Sequence, residues 1–416
     1  MSTVIEDITA RKIFNSRGEE TLEVDVTTLA GFGRASAPAG ASKGKAEVIS
    51  YPQGIVDRAI ENVANLVAPE LIGRNADEQE EIDLLLHEID GTADFRNLGG
   101  NAAYAVSLGT ADAAAASHGM SLFEYLAGYF ANEIPNPLGN VIGGGKHAHG
   151  KTPDIQEFLV LPLKANSFSE AAKANASFHR KVGSFLRKAD KSFTNGRGDE
   201  GAWAPNIGNE EALEIMSKAC EVVSKETGVD CRVGLDIAAS SLWSSKEKCY
   251  VYPRDRVKRD SEDQIDFISQ LVERYNLAYI EDPFHEQDFR SFAQLTKMTG
   301  KCLVCGDDLF ATNMERLGHG IELGAANAAI IKTNQVGTLT DAWKTTKLAQ
   351  KAGYTTIMSH RSGETTDTHI AHLSIALHCP IIKTGVIGGT RISKINELIR
   401  TEEMLGERAK MATLRL

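Results

Sequence analysis

Apolar and polar residues alternate in short runs through the first 36 positions, then change to helical spacing. "VIEDITARKIFNSRG", "TLEVDVTTLAG" and "GFGRASAP" are β-rich runs broken by Gly and polar turns, the pattern of an antiparallel meander. From about Ala46 to Ala127 the apolar positions recur at three- and four-residue intervals. "IVDRAIENVANLV", "DEQEEIDLLLHEID" and the Ala-rich "NAAYAVSLGTADAAAASHGM" predict helices. Meander then helices predicts an α+β unit. The punctuation Pro135-Asn136-Pro137 after "FEYLAGYFANEI" marks its end, so residues 1–133 are expected to form an N-terminal α+β capping domain and 134–416 a second domain.

In that second part, short apolar runs alternate with amphipathic stretches, as repeated β-α units require. The strand candidates are "CRVGLDIA", "LAYIEDPF", "CLVCGDDLF", "AAIIKTN", "TTIMSHRSGE" and "PIIKTGVI". They end at Asp236, Glu281, Asp307, Lys332, His360 and Lys383, at intervals of 45, 26, 25, 28 and 23 residues. One strand, loop and helix consume about 25 residues, so the spacing predicts an α/β fold with a TIM-like (β/α)8 barrel. Polar groups at successive strand ends would then converge on the barrel mouth, where such barrels keep their active sites.

Composition sets bounds on this picture. The chain is 42% hydrophobic and 24% charged, enough for a large core. A net charge of -11 argues against nucleic acid or an anionic membrane as the main partner. The N-terminus lacks a basic segment followed by an apolar one, and no apolar run of about 18 residues occurs, so a soluble, cytoplasmic protein is expected. Cys302 and Cys305 form a C-x-x-C pair without a second pair, and are read as buried strand residues rather than zinc ligands.

The expected mouth has a definite chemistry. Asp236, Glu281 and Asp307 offer hard oxygen ligands with no His or Cys among them, which suits Mg²⁺. Lys332, beside other cations, is expected to have a lowered pKa and to act as a base. Arg361 and Ser362 offer donors for a phosphate, and Lys383 could hold a carboxylate. Glu200, in the turn "GDEG", could pair with Glu157 so that one carboxyl stays protonated as a general acid. "PAGASKG" raises a different possibility, because Gly40-x-Ser42-x-Gly44 is also the spacing of a nucleophile elbow. An elbow needs a strand-to-helix turn, and a meander precedes Ser42.

The ordered set "PAGASKG", "GGGKHA…DIQEF", "GDEGAWAP", "GLDIAAS", "IEDPF", "GDDLFATN", "IIKTNQVGTLT", "SHRSGETTDT" and "IKTG" closely resembles the enolase family, collinearly from residue 3 to about 406. The resemblance implies a glycolytic and gluconeogenic lyase, phosphopyruvate hydratase. It would reversibly dehydrate 2-phosphoglycerate to phosphoenolpyruvate with two Mg²⁺ ions per site, a base-and-metal logic known for the superfamily as a whole. It implies Lys332 as base, Glu200 as acid and Glu157 as its acidic partner. Asp236, Glu281 and Asp307 would be metal ligands, Asp307 being preferred to Asp308 on spacing. Ser42 would be a lid residue ligating the second ion. Arg361 and Ser362 would hold the phosphate and Lys383 the carboxylate, with His147, Gln156 and His360 also lining the substrate site; His149 is the alternative lid histidine. A homodimer or higher homo-oligomer is implied.

Several positions depart from the family pattern. "NSRGEET" replaces the usual start in a region tied to dimer contacts, Ala39 stands for a common serine, and "GVIGGTRISK" replaces the usual arginine-rich segment after Lys383. A related barrel dehydratase acting on a sugar acid and an inactive binding protein are the competing readings. The phosphate-holding pair argues against the first, and the complete ligand set argues against the second.

Overall fold

The structure, a computed structural model, describes residues 2–41, 44–148 and 150–414. Strands β1 (Ile5–Phe14), β2 (Glu20–Thr28) and β3 (Phe32–Ser36) form the expected antiparallel meander. Helices α1 (Val56–Asn62), α2 (Ala68–Leu71), α3 (Gln79–Asp90), α4 (Gly100–Ser117) and α5 (Leu122–Ala127) follow. The Ala-rich α4 is buried on nearly every side and packs against the meander. Its small side chains let helix and sheet approach closely.

After β4 (Glu133–Ile134), β5 (Asn136–Gly143) and β6 (Glu157–Leu163) open the barrel. Two long helices, α6 (Phe168–Ala189) and α7 (Asn209–Thr227), lead to β7 (Asp230–Asp236). A small sheet of β8 (Trp243–Ser244), β9 (Cys249–Tyr252) and β10 (Val257–Arg259), followed by α8 (Ser261–Tyr275), fills the long interval before β11 (Tyr279–Glu281). Regular units then follow: α9 (Phe289–Thr299), β12 (Leu303–Gly306), α10 (Met314–Leu323), β13 (Ala328–Ile331), α11 (Leu339–Lys351), β14 (Thr355–Ser359), α12 (His369–Ala376), β15 (Ile381–Lys383) and α13 (Gly389–Leu405). β16 (Lys410–Met411) returns to pair with β4.

Eight strands close in the order β11-β12-β13-β14-β15-β5-β6-β7. The barrel departs from strict β-α alternation at its start, where β6 runs antiparallel to both β5 and β7. The segment joining β5 to β6 contains no α-helix among its described residues, so the chain turns straight back instead of crossing over. A parallel neighbour is usually reached through a crossover helix, which the described residues of this segment do not supply.

Period two along each strand fixes what faces the barrel axis. Leu159, Leu161, Tyr279, Leu303, Cys305, Ala328, Ile330, Ile357 and Ile381 form one buried cluster inside it. Continuing the same parity toward the mouth reaches Glu281, Asp307, Lys332, Ser359 and Lys383 at C-terminal strand ends, and Glu157 at the N-terminal end of the reversed β6. The apolar floor and the ionisable mouth are therefore two levels of one pattern. Cys302 and Cys305 are buried free thiols within this wall, as expected.

Candidate active site

The strand ends enclose a cavity of 30 Å³ whose lining includes Glu200, Asp236, Asp307, Lys332, Arg361 and Lys383. His147, Gln156, Glu157, His360 and Ser362 line it too, together with Gly40 and Ala41 from the "PAGASKG" loop. Every substrate-side residue singled out in the sequence therefore borders one space. Ser42 and His149 lie outside the described residues.

The acids and lysines interlock. Lys383 Nζ lies 2.6 Å from Glu281 Oε2, 3.1 Å from Asp236 Oδ2 and 3.4 Å from Glu157 Oε2. Burial disfavours its charge, but these three carboxylates outweigh that and hold its pKa well above the lysine value. Burial together with mutual repulsion pushes Asp236 up to about 6 and Glu281 up to about 7. Glu281 Oε1 is buried without a hydrogen-bond partner. An all-oxygen cluster that already gathers a cation and keeps an unused oxygen fits a hard divalent ion.

The carboxylates do not form one compact triad. Oxygens of Asp282, Asp307 and Asp308 lie within 4.8 Å of one another, as do ligand atoms of His147, Glu157 and Glu200. Asp236 and Glu281 instead gather around Lys383, while Asp307 pairs with Lys332 and accepts from Gln335 Nε2 at 3.0 Å. This pairing corrects the expected lowering of the Lys332 pKa. Burial does favour the free amine, but the Asp307 carboxylate outweighs it and raises Lys332 above the ordinary value.

Across the cavity, His147 Nδ1 lies 3.2 Å from Glu157 Oε1 and 4.0 Å from Glu200 Oε1. Burial opposes a charge on His147, yet the two glutamates push it up to about 9. Burial would raise Glu200, but the imidazoles of His360 and His147 hold it well below the usual carboxylate range. His360 is itself pushed down to about 4, so the cation that Glu200 meets near neutrality is His147. The geometry therefore favours a proton on His147 and an ionised Glu200, in place of the expected protonated Glu200. Glu200 also accepts from Asn140 Nδ2 at 3.1 Å, and its backbone is left-handed (φ 64°). The turn "GDEG" aims this side chain inward by that backbone conformation.

Arg361 is buried and bonded to Glu47 (2.9 Å) and Asn334 (3.0 Å). Ser362 Oγ accepts from Ala41 N–H at 2.6 Å, and Ala39 and Gly363 exchange backbone hydrogen bonds at 2.7 and 2.8 Å. Residues Ala39 to Ala41 are thus laid over "SHRSG", next to the cavity. Glu47 and Asn334 were not singled out in the sequence. Asn334 stands in the quoted "KTNQ" run, whereas nothing local marks Glu47. A larger surface groove of 680 Å³ between α7 and α8 lies away from all these groups.

Two family models match the chain: the enolase N-terminal domain over residues 5–126 and the enolase C-terminal TIM barrel domain over residues 131–415. Curated relatives named enolase cover nearly its whole length. The protein of Methanosphaera stadtmanae is 54% identical over 406 residues, 97% of this chain and 98% of that one. That of Methanothermobacter thermautotrophicus is 52% identical over 404 residues, 97% of each chain. That of Pyrobaculum aerophilum is 45% identical over 418 residues, 99% of each.

Proposed function

The chain belongs to the enolase family, and from that premise we infer that it interconverts 2-phosphoglycerate and phosphoenolpyruvate plus water. The observation that carries this reading is the one cavity at the barrel mouth in which Lys332 and Glu200 share a wall with an acid cluster and Arg361. Elimination of water from this substrate needs a base for the C2 proton, an acid for the C3 hydroxyl, and cationic groups for carboxylate and phosphate. All border that space.

In the forward direction Lys332 Nζ takes the proton from C2, and the electron pair left behind is delocalised into the substrate carboxylate. That pair then forms the C2–C3 double bond as the C3–O bond breaks. The departing hydroxide takes a proton from Glu200 and leaves as water. With His147 holding a proton beside an ionised Glu200, the proton that Glu200 delivers would come to it from His147, 4.0 Å away. Arg361 and Ser362, with His360 beside them, hold the phosphate; Lys383 and Gln156 face the carboxylate end.

Asp236, Glu281 and Asp307 would hold one Mg²⁺ and Ser42 would contribute to a second. Such ions supply Lewis-acid stabilisation of charge developing on the carboxylate. With Asp307 engaged as a metal ligand, its pull on the Lys332 proton would weaken, and burial, Arg361 and Lys383 already favour the free amine. The reading also includes a homodimer or higher homo-oligomer and a cytoplasmic setting. No helix among the described residues is long and apolar enough to cross a membrane.

The test is ultraviolet detection of phosphoenolpyruvate formed from 2-phosphoglycerate. Activity should vanish with chelator and return with Mg²⁺. Lys332→Ala should lose roughly 10²–10⁴-fold in kcat, the usual contribution of a positioned proton-transfer group. Full activity in that variant would remove the base assignment. Turnover of glycerate equal to that of the phosphorylated acid would favour the sugar-acid reading.

A further inference from the structure

Arg391 lies in the segment after Lys383 that departs from the family pattern, and the chemistry above gives it no task. It is among the largest fully buried side chains, only 2% exposed. It also stands in the first turn of α13, where the helix dipole disfavours a cation. Its guanidinium donates to His360 Nδ1 at 2.8 Å, to the Arg361 carbonyl at 2.7 Å and to the Ser362 carbonyl at 2.5 Å. None of these partners is negatively charged. The acids Glu200 and Asp199 feel its charge without a direct hydrogen bond to it, and a buried cation held by neutral acceptors calls for a purpose beyond packing.

The neighbouring backbone is shaped around this side chain. Gly385 and Gly388 have φ of 75° and 105°, and a Cβ on Gly385 would stand 3.2 Å from both Arg391 Cγ and the Glu200 carbonyl. Glycine at Gly385 leaves room for the arginine stem beside the Glu200 carbonyl.

A guanidinium has donors only. His360 Nδ1 must therefore accept, and the single proton of the neutral ring is placed on Nε2. That nitrogen is 3.3 Å from Glu200 Oε1, buried and without an aligned hydrogen bond. The geometry points to Arg391 as a positioning residue that fixes His360 as the neutral Nε2–H tautomer facing Glu200, while binding the backbone of the phosphate-holding segment. Its catalytic meaning rests on the function proposed above; the tautomer itself does not.

The groups acting on His360 are Glu200 from the "GDEG" turn, Arg391 from α13 and Glu364 from its own loop, and its backbone N–H donates to the Lys383 carbonyl at 2.9 Å. Burial and Arg391 outweigh the two acids and push the ring down to about 4. Near neutrality His360 is consequently a neutral ring whose Nε2–H faces Glu200 as a donor without giving up its proton, and the proton that Glu200 needs still comes from the His147 side.

The test is nitrogen NMR on the full unliganded chain labelled with ¹⁵N-histidine, with His360 assigned by difference against His360→Gln. The wild-type ring should show an unprotonated Nδ1 and a protonated Nε2 near neutral pH. In Arg391→Met the proton should distribute over both nitrogens and the ring should titrate at higher pH than in the wild type. The acid limb of the kcat profile should move up with it, and kcat should fall by roughly 100-fold, the lower range for a misplaced proton-transfer group. Arg391→Lys retains a donor and should recover the wild-type tautomer. A wild-type Nδ1–H, or an unaltered His360 spectrum in Arg391→Met whatever its kcat, overturns the inference. Should the methionine variant not fold, the wild-type and lysine spectra decide. An inactive wild type with the expected tautomer would instead count against the proposed function alone.

Discussion

Asp282 is a non-glycine residue held at a left-handed φ of 42° and buried at a strand end. Its carboxylate accepts from the backbone N–H groups of Asp307 at 3.0 Å and Asp308 at 2.8 Å. Its own N–H donates to the Cys305 carbonyl, and its carbonyl accepts from Ala239 N–H, both at 3.0 Å. One residue therefore joins the ends of β7, β11 and β12, the three strands that deliver Asp236, Glu281 and Asp307. Asp282→Gly keeps the backbone conformation open and removes both acceptors. The Mg²⁺ concentration for half-maximal activity should rise by roughly 10–100-fold, the usual cost of losing support behind a metal ligand. A magnesium titration of activity reads this, and an unchanged midpoint would refute it. Residues such as Asp236 or Lys332 could be read from the sequence because each ends an apolar run at barrel spacing. Asp282 was hidden beside Glu281 in the same motif. Glu47 was invisible because its partner Arg361 is more than 300 positions away and only folding brings them together.

Among elements, α4 shows how composition becomes packing. A Cβ on Gly33 of β3 would lie 2.1 Å from the Gly109 carbonyl and 2.4 Å from Ala113 N, both on α4. Sheet and helix touch backbone to backbone there. Gly33→Ala must push them apart, so a loss of about 1–3 kcal/mol is expected, as for other overpacked cores. The urea midpoint should drop while kcat stays within twofold, since this contact is remote from the cavity; an unchanged midpoint would mean that the helix yields freely. The six regular strands from β7 onward, apart from the small β8–β10 sheet, were legible as apolar runs ending in polar residues. β5 and β6 were not, because β5 is buried along its whole length and β6 nearly so, and neither shows alternation. Their antiparallel pairing goes with a connection that supplies no crossover helix among its described residues, a property of topology that a list of strands does not contain.

At the scale of the whole molecule, the meander and α3–α5 share one apolar core with barrel elements, including Ile331, Leu339, Met358 and Leu373. Polar ties cross the same boundary. His87 on α3 meets Asp341 on α11 at 2.7 Å, and Asp367 before α12 accepts from Ser36 N–H of β3 at 3.0 Å. Asp367 also pairs with His369, whose ring is pushed up to about 10 against burial by Asp367 and Asp112. Asp367 is drawn down to about 2 by that histidine, against its own burial. His369 therefore contributes stability fully below its unfolded pKa of 6.5, and that contribution fades as pH rises toward about 10. Asp367 contributes above its unfolded value of 3.8 and fails only as pH falls through about 2. His87, raised by Asp341, acts in the same direction as His369, and so does His147 in the cavity. The informative quantity is thus the difference in urea midpoint between wild type and His369→Gln at each pH. It should be large between pH 3.8 and 6.5, where removing one member of a buried pair costs about 3–5 kcal/mol, and should shrink steadily toward pH 10. A difference independent of pH would mean that His369 holds the two parts together by shape alone, and the charge on its ring would then have no share in joining meander to barrel.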